Sequence, residues 1–456
     1  MSSTTDEVVA PQRLVIVLPS TGEFDSRTWR IASSAVARGH AVTVVARHRP
    51  GLPETEVHPA GYTIIRTPVS AVDGLPLPGP IRDRIRRRRE AGRATAVASP
   101  LVGGAAPSTD DATGDGAPVA RPGLVAWMRR TPAATVRMIA IALTVRAHGA
   151  AVRHLAVEAD VIHAMAYMGI AVGLRLGRRL GAPVVYDARD IYVDANNLAR
   201  LPGVFRRVLG RIERRWARSA AARLTVNEPY ARVMAERWGV DQPVIVMNCS
   251  YRFTPPEPRE RRFHRVLDLP DTARVVLYQG GLSRGRGIEQ LAEAVPQVAD
   301  AHLVLLGYGP LAPAWGARAA KPGSRLHLLP AVPPQELLGW VASADVVAMP
   351  IQPSTLNHRL TTPNKLFEAI AAGVPVLASD LPGMSGIVAE VGAGSLVDPT
   401  DVSAIARAIT DLLALPEPDR VAMVARELAA ARDRYNWDVQ AERLFALYTQ
   451  LSGRAW

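Results

Sequence analysis

Apolar and polar residues alternate along most of this chain in two repeating rhythms. Short apolar runs of three to six residues, rich in Val, Leu and Ile, are each followed by a longer stretch of helical period. Runs at 13–18, 41–46, 160–164, 183–188, 223–226 and 243–247 form a first series. Those at 274–279, 302–306, 325–329, 345–349, 375–378 and 395–397 form a second. Continuous apolar runs, rather than strict alternation, predict parallel strands buried on both faces. Strand–helix alternation repeated twice predicts an α/β chain of two Rossmann-like doubly wound domains facing each other across a cleft. Residues 248–269, with Pro255, Pro256, Pro258 and many charges, read as the connection between them. The expected organisation is an N-terminal domain over 1–250, a linker over 251–271, a C-terminal domain over 272–434 and a terminal helix over 435–456 that returns towards the first domain.

The pattern breaks once. Residues 81–122 are rich in Ala, Gly, Pro, Ser, Asp and Thr, with four arginines in a row at 86–89, and read as a flexible insertion. Residues 124–157 regain helical character, and their arginines fall on no single stripe. The arginine-rich 82–153 region is open to two readings, a solvated insertion or a docking surface for an anionic membrane or lipid-linked acceptor.

The most informative stretch is 361–380, TTPNKLFEAIAAGVPVLASD. Thr362 is placed to cap a helix and Pro363 to occupy its first position; Gly373 ends it and Pro375 bars a restart. Lys365 and Glu368 are three apart and share a face. A helix N-terminus with free N–H groups beside a lysine suits a phosphate or diphosphate, and a carboxylate one turn on suits sugar hydroxyls. The chain has 54 basic residues, of which only Lys321 and Lys365 are lysine. One of those two falls at this helix start.

Composition narrows the partners. A formal charge of +12 favours an anionic ligand. With 5% aromatics and no zinc-ligand spacing or aromatic RNA-binding strand, nucleic acid is not expected. Cys249 is the one cysteine, which rules out an intrachain disulfide and suits a reducing, cytoplasmic setting. The polar, acidic opening MSSTTDE is unlike a secretory leader, and no apolar run reaches membrane-spanning length. A peripheral position at the inner membrane face remains compatible with the arginine-rich region.

The second half resembles the retaining family-4 glycosyltransferases, which have the GT-B fold. The stretch 278–287 (YQGGLSRGRG) looks like the family's glycine-rich phosphate loop, and 302–309 (HLVLLGYG) like its strand and glycine turn near the base. Residues 345–350 and 363–380 look like the donor-binding core, and 435–437 (YNW) like the motif before the terminal helix. Residues 25–47, 160–163 and 186–190 resemble the family more weakly. The resemblance implies transfer of a hexose-type sugar from a UDP- or GDP-sugar to a hydroxyl acceptor, with retention, without metal or other cofactor. By position, Arg286 and Lys365 hold the diphosphate and Glu368 the ribose hydroxyls, with Gly280, Gly281, Gly307, Asn364 and Leu366 completing the donor site.

Three positions depart from the family pattern. Leu360 stands where the first of two glutamates is common, leaving Asn357, His358, Arg359 or backbone amides to serve instead. Met165 stands where a second histidine often follows the one at His163, and Arg189 replaces a histidine in the 186–190 loop. His163 and Asp187 are the candidates for acid–base work, and Gly22, Asp25, Arg27, Arg189 and Asp190 for the acceptor side. His163 is equally readable as a core histidine. Asp187, Asp190 and Asp194 are open to acceptor binding, a solvated loop or metal ligation. Two alternatives to a transferase stay open: a sugar-nucleotide epimerase, and a catalytically silent protein that binds nucleotide sugar and supports a partner enzyme.

Overall fold

A computed structural model describes residues 11–23, 25–49, 51–67, 80–81, 84, 124–195 and 198–456. Nearly all of the expected 81–122 insertion, with the run 86–89, lies outside these residues.

Eight strands form the first sheet: β1 (Arg13–Val17), β2 (Ala41–Arg47), β3 (Thr55–Val57), β4 (Thr63–Thr67), β5 (Val161–Met165), β6 (Val184–Asp187), β7 (Ala222–Thr225) and β8 (Val244–Ile245). Their order is β3-β4-β2-β1-β5-β6-β7-β8, parallel throughout except for the β3–β4 pair. The second sheet holds β9 (Arg274–Gly281), β10 (Ala301–Tyr308), β11 (Leu326–Leu329), β12 (Val346–Met349), β13 (Val376–Ser379) and β14 (Gly394–Val397). It is wholly parallel, in the order β11-β10-β9-β12-β13-β14. The long apolar runs thus become central strands with no polar face, β5 and β6 being buried along their whole length.

Strand order reverses beside β1 in the first sheet and beside β9 in the second. At such a switch point successive crossover helices go to opposite sides, and a crevice opens past the strands' carboxyl ends. The loop 280–287 leaves β9 at that place.

Sequence pattern overlooked β3 and β4, which are short and rich in Thr, Glu and Arg. Arg66 in β4 is 3% exposed and is charge-paired with Glu56 in β3 at 2.7 Å. The helix Leu124–Ala151 packs through Thr144, Val145, Ala147 and His148, while Arg146 and Arg153 point to solvent. Among the described residues no helix is long and apolar enough to cross a membrane.

The helix Trp437–Ser452 lies on the first sheet, not the second. Trp437, Leu444, Phe445 and Tyr448 share a core with Ile16, Val44 and Val161. Asn436 caps it by accepting from Val439 N at 3.0 Å. Trp437 N donates to Ser250 O at 2.7 Å, so the two crossings between the sheets are pinned side by side.

Candidate active site

The helix Asn364–Ala372 begins at Pro363, whose extended backbone (φ −74°, ψ 146°) makes it the capping position, and ends at Gly373 in the left-handed region. No side chain caps its start. The expected cap, Thr362, is diverted: its hydroxyl donates to Gly383 O and accepts from Asn227 Nδ2 at 2.9 Å. Pro363 therefore sits one position earlier than expected; Leu366 N turns back to Pro363 O at 3.0 Å, and no side chain claims the Asn364 and Lys365 N–H groups as a cap. The Leu366 side chain from this turn is buried and packs into the second sheet's core.

Lys365 and Glu368 project from the first turns, both half-buried. Lys365 Nζ stands 3.4 Å from the centroid of the Tyr278 ring. Burial and then the Arg286 charge push its pKa well below the ordinary lysine value, with Glu368 partly offsetting them. Glu368 Oε2 accepts from Gln279 Nε2 at 3.3 Å. Burial raises the Glu368 pKa, opposed by Arg30, Gln279 and Lys365.

Facing this helix is the end of β9. Gly280 has φ +115°, and a Cβ there would stand 3.9 Å from Lys365 Nζ. A Cβ on Gly307 of β10 would come within 2.0 Å of Gly280 O. The two strand ends therefore meet backbone to backbone and leave peptide groups, not side chains, at the mouth of the crevice. Arg286 stands in the following loop and pairs with no carboxylate among the described residues. Its charge acts on Lys365 and on His358, whose pKa burial and Arg286 together lower to about 4. Lys365, Arg286, the glycine turn and an open helix start thus lie together at the carboxyl end of β9, the kind of grouping that suits an anion.

The first sheet contributes residues that sequence reading did not identify. Arg30, 7% exposed, donates to Asn248 Oδ1 at 2.6 Å, and Asn248 Nδ2 reaches Asn364 Oδ1 at 3.0 Å. The helix Ser26–Ala37 is thereby tied to the first residue of the helix Asn364–Ala372. No local signal marks Arg30 in a chain where arginine is so common.

On the expected acceptor side the structure separates the candidates. His163 and Asp187 are wholly buried. Asp187 Oδ2 accepts from Arg27 Nε at 2.6 Å and lies 3.0 Å from His163 Nε2, while Tyr448 OH lies 2.7 Å from His163 Nδ1. Burial alone would raise the Asp187 pKa; Arg27 and His163 overcome it and hold the carboxyl below the usual range. The four residues form a buried network joining helix, strands and terminal helix, with Arg27 Nη2 and Asp187 Oδ1 left without a hydrogen-bond partner among the described residues. His163, Asp187 and Arg27, read as catalytic or acceptor residues, are thus buried and bound to one another. Met165 is also buried and accepts from Thr28 Oγ1 at 3.0 Å.

Asp25 and Arg189 remain near the surface as a pair, Arg189 Nη1 reaching both Asp25 oxygens at 2.8 and 2.9 Å. Burial raises the Asp25 pKa, but Arg189 and the Thr28 N–H more than reverse it. Gly22, at φ +82°, lets its turn fold back against Leu18, Ala46 and Ile64. Asp190 accepts from Asn357 Nδ2 at 2.9 Å, and Asp194 pairs with Arg206 and Arg237. Asp187, Asp190 and Asp194 therefore point to three separate partners and form no ligand set. Among the described residues no group of three or more His, Cys, Asp or Glu side chains is placed to hold a metal ion. Leu360, in place of a family glutamate, packs against the apolar cluster of the first sheet. Of its neighbours, Asn357 turns to Asp190 and Ile191, while His358 Nδ1 lies 2.9 Å from Ser354 Oγ.

The chain is similar to known proteins in sequence and in fold. Residues 273–415 match the family described as Glycosyl transferases group 1. The D-inositol 3-phosphate glycosyltransferase of Xylanimonas cellulosilytica is 27% identical over 315 residues, covering 65% of this chain and 73% of that protein. The GDP-mannose-dependent alpha-(1-6)-phosphatidylinositol monomannoside mannosyltransferase of Mycolicibacterium smegmatis is 32% identical over 210 residues, 44% of this chain and 54% of that protein. In fold, the chain resembles sucrose-phosphate synthase from Thermosynechococcus elongatus, with a TM-score of 0.66 at 19% identity over 97% of this chain and 99% of that one. It also resembles Anabaena HepE in complex with UDP, with a TM-score of 0.59 at 14% identity over 96% and 100%. These neighbours share the two-sheet GT-B architecture.

Proposed function

We propose that this chain, a glycosyltransferase whose residues 273–415 form a group 1 domain, moves a hexose-type sugar from a UDP- or GDP-sugar to a hydroxyl acceptor with retention and without a metal ion. The observation that carries the reading is the convergence of Lys365 and Arg286, neither ion-paired among the described residues, on an uncapped helix start. The leaving group of such a donor is a nucleoside diphosphate. Two cations and helix N–H groups stabilise the charge that develops on it as the glycosidic bond breaks. A divalent cation would ordinarily supply that charge, which is why a metal-independent reaction is proposed. Glu368, steadied by Gln279, is placed to accept from the ribose hydroxyls.

With His163 and Asp187 shut away, no residue of that network takes the acceptor's proton. It leaves on the departing diphosphate oxygen, which Lys365 and Arg286 hold, so the bonds balance: sugar to acceptor oxygen, proton to diphosphate. The relatives named for inositol phosphate and phosphatidylinositol mannoside make an inositol-bearing hydroxyl the first acceptor to try. Contact with an anionic membrane through 82–153, a region largely outside the described residues, is a separate part of the reading. The test is turnover of a panel of UDP- and GDP-sugars with and without chelator, followed by NMR of the anomeric configuration. Transfer that continues under chelation with retained configuration supports the reading; activity that requires added metal, or an inverted product, refutes those parts of it.

A further inference from the structure

Tyr278 is 1% exposed in β9, yet its ring and its hydroxyl each engage a different part of the donor site. The ring face lies against the Lys365 ammonium, 3.4 Å from centroid to Nζ. The hydroxyl donates to Gly281 O at 2.9 Å, gripping the exposed end of the glycine turn. A carboxylate in the ring's place would pin the lysine equally well but cancel its charge. An aromatic face attracts the cation through its quadrupole and leaves the net charge intact for an incoming anion. The need is specific here, because burial and Arg286 both act to strip the Lys365 proton. A lysine side chain free to rotate would also lose more rotamer entropy on binding.

We propose that Tyr278 is a positioning residue of the donor site, its ring seating the Lys365 ammonium and its hydroxyl fixing the glycine turn, so that both are aimed at one diphosphate before it arrives. The inference rests on the donor reading above. Tyr278 itself is too deeply buried to touch the donor.

The two-lysine composition makes the seat directly observable. Lysine-selective 13C labelling gives two sets of ε-methylene NMR signals, assigned with Lys321→Arg, a substitution at an exposed site. In the free protein the Lys365 signal is shifted upfield of Lys321 by the ring current. Tyr278→Phe keeps that shift and Tyr278→Leu abolishes it. In titrations with UDP and GDP, Tyr278→Leu weakens binding about tenfold, and its alkaline limb moves to lower pH as Lys365 loses its proton more readily. Tyr278→Phe keeps the wild-type alkaline limb and loses only the contribution of the hydroxyl. An unshifted Lys365 in the folded wild type overturns the proposal. So does a Leu variant with wild-type affinity and an unmoved alkaline limb. A shifted Lys365 in a protein that binds neither nucleotide overturns the donor reading instead, and with it the assignment of this seat to a diphosphate.

Discussion

Asn357 Nδ2 lies 2.9 Å from Asp190 Oδ1, joining the short helix Leu356–Leu360 beside the second sheet to a loop of the first. The same side chain accepts from Ile191 N at 2.8 Å, and Tyr230 OH donates to the Asn357 backbone O at 2.9 Å. Asn357→Ala leaves a buried N–H and a carboxylate without partners. It is expected to cost about 1–3 kcal/mol in urea unfolding and to raise the donor KM by loosening the crevice. A variant with wild-type stability and KM would show that this bond contributes nothing to holding the two sheets together.

Lys365→Ala removes a cation from the anion site while leaving the helix and its Gly373 end in place. A charge-assisted hydrogen bond of about 1.5–3 kcal/mol corresponds to a loss of about 10- to 100-fold in affinity for UDP or GDP by calorimetry. Turnover falls with it, because the same charge stabilises the leaving group. Unchanged nucleotide binding would remove Lys365 from the site.

His163→Gln distinguishes a structural histidine from a catalytic one. Loss of general acid–base help costs 10²- to 10⁴-fold in rate. A histidine whose two ring nitrogens serve Asp187 and Tyr448 should instead show turnover per folded molecule within about threefold of wild type. The cost appears as about 1–2 kcal/mol of stability in urea unfolding. A hundredfold slower yet fully folded variant would return His163 to the chemistry.

Glu213 sets a pH dependence of stability. It is 4% exposed, accepts from Tyr186 OH at 2.8 Å, and burial pushes its pKa up to about 7. A carboxyl with a raised folded pKa favours the fold below its unfolded value, about 4.5, and loses that contribution as pH rises through about 7. Glu213→Gln should therefore flatten the decline between those limits. Urea midpoints are expected to differ little at pH 4 and to favour the variant by on the order of 2 kcal/mol at pH 8.

Much of this was legible in the sequence because its causes are local. Parallel strands covered on both faces write contiguous apolar runs, so twelve strands could be placed from pattern. The donor helix carries its lysine, its carboxylate and its Gly–x–Pro ending within a dozen residues. What was missed depends on distant partners. Thr362 reads as a cap until Gly383 and Asn227, 21 and 135 residues away, claim its hydroxyl. Strands β3 and β4 are polar because Glu56 compensates a buried Arg66. His163 and Asp187 have the residue types of a reactive pair, and sequence cannot show that Arg27 and Tyr448 close over them. Leu360 packs against an apolar cluster of the other sheet, a contact that its own segment does not announce.

The contact between Tyr448 and His163 also has a temporal meaning. The two residues are 285 positions apart, and the first sheet's apolar face is covered by the helix that contains Tyr448. During synthesis at about 5–20 residues per second, that face waits roughly 15 to 60 seconds for its cover. The N-terminal sheet, although first off the ribosome, is thus among the last parts to be completed, and it stays in the interval a natural client for a holding chaperone.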